Sequence, residues 1–288
     1  MTRLESWSVP ESLTHLYYAP VYQTLTGKER RIYNKLHACF CCEMLVFFEE
    51  ELPQCYSTAT RGAGVPNRVR CEVEAMLAAE SRHAAMFRGL ARDLDSDLYE
   101  PFAYHFLRVP KGIWRLLKLP LQYPRLFPLV FWIVLLQEER TVYYSKEVIR
   151  CASELDPRVV DAFSRHMDDE KDHLGIDEAL LEVYWERSSS SIRWLNAQAF
   201  RLFVDEFLNS PKRAGIRVIE RLVQEVPSLQ GRKGELTAGL RNLAKDARFH
   251  QSLYSRQIVP KTFALFDRYA EFRNLGDRVR GYTPGGAA

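Results

Sequence analysis

The chain has 288 residues, 47% of them hydrophobic, which is enough for one large helical domain or two small ones with a sizeable core. Forty basic residues against 37 acidic ones leave a formal charge of only +3, and the basic residues are spread along the chain. This distribution lacks the basic tract of a nucleic-acid-binding arm, so neither DNA nor RNA is an expected partner.

The N-terminal part of the chain does not look like a secretory signal. Residues 1–20 are polar and include Glu5 and Glu11, where a signal would have a basic start and an apolar run. The longest apolar run, Leu126 to Leu136, is about half as long as a membrane-spanning helix requires. We therefore expect a cytoplasmic protein with no membrane partner, whose six cysteines are reduced thiols.

Long stretches without glycine or proline, with apolar residues spaced by three and four, predict an almost entirely helical chain. Four long helices are expected at about residues 28–53, 67–94, 125–153 and 157–186. Proline residues support these bounds, because Pro53 ends the first helix, Pro66 opens the second and Pro157 opens the fourth.

The segment 101–124 contains four prolines and is predicted to be a crossover between two helix pairs. One long crossover is what a ferritin-like bundle requires. Shorter accessory helices are expected at about 190–275. The predicted fold is therefore all-α, a ferritin-like four-helix bundle with additional C-terminal helices. Residues 1–288 are expected to form a single helical domain, with the four-helix core at about 28–186.

The first helix carries several glutamates in an apolar run, where a carboxylate is costly to bury unless a cation pairs with it. Helix register selects among these glutamates. Glu43 lies 10 residues before Pro53, at a depth comparable with that of the acidic candidate on the second helix. We therefore prefer Glu43 as a metal ligand, with Glu50 as the alternative one heptad later, and we expect Glu49 to be a solvated charge.

The spacing Glu-x-x-His occurs twice, as Glu80 and His83 on the second helix and as Glu170 and His173 on the fourth. Residues i and i+3 lie on one helical face, so a carboxylate and an imidazole with this spacing can chelate the same ion. His166 precedes Glu170 by four residues and therefore shares the same stripe. The repeat predicts a metal site between these helices.

Bundles that hold two metal ions through carboxylates draw one further glutamate from each of the other two helices. On the third helix, Glu138 and Glu139 follow an apolar run, and both are candidates. The remaining histidines, His15, His37, His105 and His250, lack acidic neighbours of this kind and are assigned to packing or to the surface.

With this pattern the sequence resembles the p-aminobenzoate N-oxygenase family, the di-iron arylamine oxygenases, over about residues 25–180. The Tyr33-Asn34 pair and Asp169 are also similar to that family, whereas Ala79 stands where the family often has an aspartate. Glu139 is preferred over Glu138 because its interval of 27 residues to His166 is similar to the family's interval. The resemblance implies the following metal ligands: Glu43, Glu80, His83, Glu139, His166, Glu170 and His173.

The resemblance further implies a di-iron oxygenase with two Fe ions, O2 as co-substrate and an external electron donor. Its small-molecule substrate would most simply be an arylamine, oxidised stepwise at nitrogen. Four glutamates balance the charge of two ferrous ions, and mixed carboxylate and imidazole ligation suits iron better than zinc. Candidate pocket residues are Phe47, Phe48, Trp132, Tyr143 and Tyr144, although a stripe of aromatic residues at helical spacing is more often core.

Three other functions remain open at this point. A di-iron hydroxylase or oxidase acting on another small substrate would use the same ligands. A ferroxidase or iron-binding ferritin-like protein would bind the metal without an organic substrate, but His166 and the long C-terminal segment argue against storage. A helical interaction module would carry the pattern by accident. The oligomeric state is open as well, with a homodimer as one candidate.

Overall fold

A computed structural model describes residues 6–62, 65–204, 213–273, 275, 279 and 282, except for the side chains of residues 113, 116, 117, 171 and 172. The regular elements of these residues are all helices, which confirms the predicted all-α fold. In chain order they are α1 (Gly27–Glu51), α2 (Pro53–Ala59), α3 (Asn67–Leu94), α4 (Ser96–Tyr99), α5 (Lys111–Gln122), α6 (Leu129–Arg150), α7 (Pro157–Glu186), α8 (Ser190–Phe203), α9 (Ala214–Glu225), α10 (Lys233–Asn242), α11 (Ala247–Leu253) and α12 (Pro260–Arg268).

Four long helices form the bundle that positions the site. Helix α1 packs along α3, α6 packs along α7, and α3 also contacts α7. Helix α1 begins with a capping box, in which Thr26 accepts from the Glu29 amide and the Glu29 side chain accepts from the Thr26 amide. Helix α7 begins with Pro157 at its first position, and Asp156 caps it. The predicted bounds 67–94 and 157–186 agree with α3 and α7.

The first helix differs from its prediction at its C-terminal end. Pro53 does not end the helical path, because it occupies the first turn of α2, where the missing N–H of proline is tolerated. Leu52, between the two helices, keeps right-handed helical angles, with φ −69° and ψ −35°. The chain therefore turns only after Ala59, about two helical turns later than the sequence suggested.

The C-terminal helices are joined to the bundle by an aromatic cluster. The Trp132 ring on α6 lies 4.5 Å from the Phe272 ring and 5.1 Å from the Phe266 ring, measured between centroids. Trp185 on α7 stacks on Phe272 at 5.3 Å. Helices were predicted for about 190–275, and α8 to α12 occupy that segment, although residues 205–212 lie outside the described part. The accessory helices therefore support the same two bundle helices that carry part of the site.

No helix in the described part of the chain is both long enough and apolar enough to cross a lipid bilayer.

Candidate metal centre

The structure brings five of the seven predicted ligands together in the middle of the bundle. Glu80 and His83 come from α3, and His166, Glu170 and His173 come from α7. All five are buried, with at most 4% of each residue exposed. Acidic and imidazole side chains are seldom buried to this extent without partners, so the cluster requires a physical explanation.

A first group of metal-ligand atoms surrounds one oxygen of Glu170. His166 Nε2 lies 3.0 Å from Glu170 Oε1 and 2.9 Å from Glu49 Oε1. His83 Nδ1 lies 3.3 Å from the same Glu170 oxygen and 3.6 Å from Glu49 Oε2. The four residues each offer one ligand atom, and these atoms lie within 4.8 Å of one another. In this group, two imidazoles and two carboxylates therefore face the same small volume.

A second group surrounds the other oxygen of the same glutamate. His173 Nδ1 lies 3.2 Å from Glu170 Oε2 and 3.2 Å from Glu80 Oε1. These three residues again place their ligand atoms within 4.8 Å of one another. Glu170 therefore belongs to both groups and joins them through its two oxygens.

Glu138 of α6 lies beside this pair of groups. Burial raises its pKa well above the ordinary value, and the Glu170 carboxylate raises it further. The two carboxyl groups form a hydrogen bond, which favours a proton on Glu138 and the ionised form of Glu170. Burial alone would raise the pKa of Glu170 too, but hydrogen bonds with Glu138, His173 and His83 hold it well below its ordinary range.

Two imidazoles of the cluster, His83 and His173, have raised pKa values in the absence of a metal. Burial lowers the pKa of His83, but hydrogen bonds with Glu170 and Glu49 outweigh burial and raise it to about 9. The pKa of His173 is raised as well, because its contact with Glu170 exceeds the effect of burial. The cluster therefore holds protons where a cation would replace them.

Glu43, the preferred ligand of the first helix, does not join the cluster. Its carboxylate is buried and accepts hydrogen bonds from the backbone amides of residues 105, 106 and 107, at 2.7–3.2 Å, and from the Tyr99 hydroxyl at 2.7 Å. Amides of the crossover segment thus satisfy the hydrogen-bonding capacity of both Glu43 oxygens. The alternative, Glu50, forms an ion pair with Arg88 near the surface.

Glu49 occupies the place expected for Glu43, and the expectation that it is solvated was wrong, since only 8% of the residue is exposed. The error arose from the helix end. Glu49 lies 13 residues before Gly62, close to the 14 residues that separate Pro66 from Glu80. The register argument therefore selects Glu49 once the chain turns after α2 and not at Pro53.

Glu139 also lies apart from the cluster. Its carboxylate accepts hydrogen bonds from the backbone amides of Lys261 and Thr262, at 2.6 and 2.7 Å, and so caps the N-terminus of α12. Burial nevertheless raises the pKa of this carboxyl above its ordinary value. Glu139 was preferred over Glu138 because of its interval to His166. The intervals of the two glutamates differ by only one residue, and such a difference cannot distinguish two neighbours that lie on different helical faces.

Two further contacts orient the cluster. His83 Nε2 lies 3.0 Å from Asp169, the acid whose position resembles the family, so its Nδ1 is left to face the first group. Tyr56 of α2 donates a hydrogen bond to Asp177, a buried residue one turn after His173. Sequence reasoning missed Tyr56 and Asp177, and the signal available was the spacing of Asp177 four residues after His173.

The unpaired atoms of the cluster provide a test of metal fit. Four buried atoms of the two groups make no hydrogen bond of regular geometry, although each lies within 3.6 Å of an oppositely charged or imidazole neighbour: Glu49 Oε2, Glu80 Oε1, Glu170 Oε1 and His83 Nδ1. Orphaned donors and acceptors in a dry interior are costly, and a cation is the partner that satisfies such atoms. Mixed oxygen and imidazole donors fit iron or manganese. The residues present therefore fit such a metal ion in each of the two groups, and Glu170 belongs to both groups.

The other predicted candidates lie outside the cluster. All six cysteines are free thiols, and burial raises the pKa of Cys41 to about 12, so it is not a reactive thiolate. His37 accepts the His15 amide at 3.4 Å, and His250 lies 2.9 Å from the Ala244 carbonyl, in agreement with packing roles. Trp132 belongs to the aromatic cluster at the C-terminal helices.

A narrow cavity of about 30 Å³ lies between α1 and α6. Its apolar wall includes Met44, Leu45 and Phe48 of α1 together with Phe163 of α7. Its polar wall consists of Gln137, Arg140, Thr141 and Tyr144 on α6, with Cys41 opposite. Two of the predicted pocket aromatics, Phe48 and Tyr144, thus line the cavity.

Comparison with known families gives one finding. The family described as P-aminobenzoate N-oxygenase AurF matches residues 2–248 of the chain. Comparisons with curated proteins and with solved structures give no significant match.

Proposed function

The chain belongs to the p-aminobenzoate N-oxygenase AurF family and is therefore an oxidoreductase, and from this premise we propose that it is a di-iron oxygenase acting on the nitrogen of an arylamine. Two iron ions would be the resident cofactor and O2 the co-substrate. An external donor would supply the electrons, and a small arylamine would be the substrate.

The observation that carries the proposal is the double role of Glu170. One of its oxygens faces Glu49, His83 and His166, and the other faces Glu80 and His173. A site for a single ion has no need of two separate groups of ligand atoms on one carboxylate. Glu170 would therefore help to hold both ions, together with Glu49, His83 and His166 on one side and Glu80 and His173 on the other.

The charges of the cluster support ferrous iron. The carboxylates of Glu49, Glu80, Glu138 and Glu170 would supply four negative charges, which balance two divalent ions in a buried place. Glu138 would lose its proton when the second group is filled, because a cation favours the ionised carboxylate. When bound, the iron pair supplies oxygen activation and electron transfer.

The chain itself orients the ligands and excludes water. The Phe87 ring lies 5.0 Å from the His166 ring and 5.6 Å from Phe163, so it covers the first group on one side. Asp169 holds the His83 ring through its outward nitrogen. A rigid and dry surrounding protects the oxidising centre from side reactions with solvent and nearby side chains.

Metal analysis and product analysis test the proposal together. Protein produced with adequate iron should carry close to two Fe per chain and, with a chemical reductant and O2, should convert p-aminobenzoate or another arylamine to hydroxylamine and nitro products. Glu170→Ala should lose both iron and turnover, since it contributes to both groups. Glu50→Gln is the matched control, because it changes a glutamate of an exposed ion pair.

Stoichiometric zinc, or full turnover by the Glu170→Ala protein, would contradict the di-iron proposal. Iron binding without oxidation of any amine would favour the alternative of a ferroxidase or of a hydroxylase with another substrate. The cytoplasmic location, the electron donor and the homodimer stay predictions.

A further inference from the structure

Helix α8 is apolar on two opposite sides. On its inner side, Ala197 and Phe200 are fully buried against the bundle. On its outer side, Trp194, Leu195 and Leu202 are between 56% and 64% exposed. A surface helix normally turns polar residues toward water, and a helix that is apolar all round is normally covered on both sides. The outer side of α8 therefore lacks a cover among the described residues.

The exposed apolar surface continues from α8 onto the segment between α5 and α6. Asn196 joins the two, because its Nδ2 donates to the Leu126 carbonyl at 2.9 Å and its Oδ1 accepts from the Leu129 amide at 3.2 Å. Leu126 and Tyr123 are more than half exposed, and Leu119, one turn before Tyr123, is exposed on α5. We call the surface formed by six residues the apolar face: Leu119, Tyr123, Leu126, Trp194, Leu195 and Leu202.

The segments that form the apolar face contain basic residues and no acidic ones. Residues 101–137, which include α5, and residues 187–204, which include α8, together contain eight lysines and arginines and no aspartate or glutamate. Glu51 of α1 lies 3.4 Å from one of these cations and Glu271 lies 3.0 Å from another, so they offset part of the charge. Since the whole chain has a formal charge of only +3, the excess of positive charge is local.

The exposed cations lie beside the exposed apolar side chains. On the outer side of α5, Lys111 and Arg115 precede Leu119 by two turns and by one turn. Arg125 is exposed directly before Leu126. The apolar face thus has a basic rim, formed by Lys111, Arg115 and Arg125. Exposed apolar surface with a polar rim marks an interaction site.

We propose that the apolar face and its basic rim bind the surface of an anionic lipid bilayer, so that the chain is a peripheral membrane protein. Leucine and tryptophan side chains enter the boundary between headgroups and acyl chains, where tryptophan and tyrosine are favoured. The cations of the rim contact headgroup phosphates, and their aliphatic stems lie at the apolar level. The expectation of no membrane partner considered the length needed to span a bilayer, which does not apply to a helix that lies on one.

Two other occupants fit the apolar face less well. A second copy of the chain would bring two identical basic rims together, and like charges repel. An acidic protein would match the charge, but leucine is under-represented among the residues that dominate protein interfaces. Four of the six residues of the apolar face are leucines. A lipid surface accepts such side chains without requiring a matching shape.

The first experiment is co-sedimentation of the full, iron-loaded chain with lipid vesicles. Wild type should bind vesicles with about one third phosphatidylglycerol and should bind pure phosphatidylcholine vesicles much more weakly, because the basic rim requires an anionic partner. Binding should weaken as ionic strength rises, since salt screens exposed charges. Failure to bind anionic vesicles at low salt overturns the proposal.

Substitutions test the apolar contribution. Leu126→Ser and Leu202→Ser should each lower the partition coefficient about 10-fold, as expected when a leucine no longer leaves water. Tyr17→Ser is the matched control, because Tyr17 is exposed on the N-terminal segment, and it should bind as wild type does. Fluorescence provides the depth: phosphatidylcholine brominated on its acyl chains should quench wild type, Trp194→Phe should lose much of that quenching, and Trp7→Phe should retain it.

A second pair of variants tests the charge. Lys111→Gln combined with Arg115→Gln should lower the partition coefficient about 10- to 30-fold, at roughly 5-fold for each cation near the bilayer. Arg165→Gln combined with Arg248→Gln removes the same charge from exposed ion pairs on α7 and α11 and is the matched control. Equal losses from the two double variants would show attraction by net charge alone and would overturn the basic rim.

The remaining outcomes assign the apolar face to another occupant or concern the proposed oxygenase. A dimer in sedimentation equilibrium that Leu126→Ser and Leu202→Ser dissociate, without vesicle binding, assigns the face to a second copy. Binding of an acidic ferredoxin, without vesicle binding, assigns it to a protein, and both results overturn the lipid surface. The variants lie outside the metal cluster, so iron content and arylamine oxidation in vesicle-free buffer should not change. Absence of both from wild type would refute the oxygenase and leave the vesicle result standing.

Discussion

Buried glutamates in this molecule are of two kinds, and the groups that face each carboxylate distinguish them. Glu43 and Glu139 accept hydrogen bonds from backbone amides, and these bonds satisfy the carboxylate oxygens without a cation. Glu49 and Glu170 face imidazoles and each other, and each retains a buried oxygen with no hydrogen bond. Burial of a carboxylate therefore does not indicate a metal site by itself, whereas unsatisfied oxygens that converge with imidazoles form a group that could hold a metal ion.

The first prediction separates the two kinds on α1. Glu49→Gln should lose most of its iron, because the first group is left with a neutral amide in place of a charged ligand. Glu43→Gln should keep its iron and lose about 1–3 kcal/mol of unfolding free energy, since an amide cannot accept all of the hydrogen bonds that the carboxylate accepts. Iron analysis and denaturant unfolding of both proteins provide the measurement. Loss of iron from Glu43→Gln alone would restore the register that the sequence first suggested.

The second prediction concerns the neighbouring pair on α6. Glu138→Gln should reduce iron content, because Glu138 lies against Glu170 and would be the fourth carboxylate of the cluster. Glu139→Gln should leave iron content near the wild-type value and cost about 0.5–2 kcal/mol of stability, the usual effect of a weakened helix cap. The reverse pattern, with iron lost only from Glu139→Gln, would show that the backbone amides at the N-terminus of α12 do not bind the Glu139 carboxylate in solution.

At the scale of elements, the sequence predicted the long helices well because their ends carry proline and capping residues, as at Pro66 and Asp156. The Glu-x-x-His pairs were also identified, since the helical spacing that brings them together is local. The structure does not bring the predicted Glu43 and Glu139 to the cluster, because their contacts come from distant segments. Whether Glu43 or Glu49 faces the cluster depends on where the chain turns after α2.

Partners from remote parts of the chain explain the rest of the difference. The amides that satisfy Glu139 belong to α12, more than a hundred residues away, as the separations of 122 and 123 positions show. Local periodicity carries no information about such a contact.

The third prediction tests how the C-terminal helices are attached to the bundle. Trp132→Ala should cost about 3–5 kcal/mol, because this fully buried ring contacts Phe266, Tyr269 and Phe272. Trp194→Ala is the control, since Trp194 is 56% exposed on α8, and its effect should stay within about 0.5 kcal/mol. Chemical unfolding provides both values. Similar losses from the two substitutions would contradict the aromatic cluster as the main attachment.

At the scale of the whole molecule, the metal cluster couples stability to pH. Without metal, the pKa of Asp177 is raised from 3.8 to about 7 by burial, and the pKa of Glu138 is raised for the same reason. The pKa of His83 is raised from 6.5 to about 9 by its carboxylate partners, in spite of burial. Each of these groups binds its proton more tightly in the folded chain than in the unfolded one, so folding is favoured where the proton is present.

The fourth prediction follows from the sign of these shifts. The Asp177 contribution is lost as pH rises from about 4 to about 7, and the His83 contribution is lost as pH rises from 6.5 to about 9. Glu170, with a lowered pKa, contributes in the opposite direction only below its ordinary value of 4.5. His15 and His37, whose pKa values are lowered by burial, also contribute in the opposite direction, but only below pH 6.5. The metal-free protein should therefore lose stability between pH 6.5 and pH 8, whereas metal ions, which displace these protons, bind more tightly as pH rises. The unfolding temperature with anaerobic ferrous iron or redox-inert manganese(II) should exceed that of the metal-free chain by a margin that widens over this range, as measured by scanning calorimetry at both pH values. In Glu170→Ala, which lacks the carboxylate that both groups share, the margin should be small at both. A margin in the wild type that stays constant or narrows would show that the buried acids and imidazoles do not exchange their protons for metal.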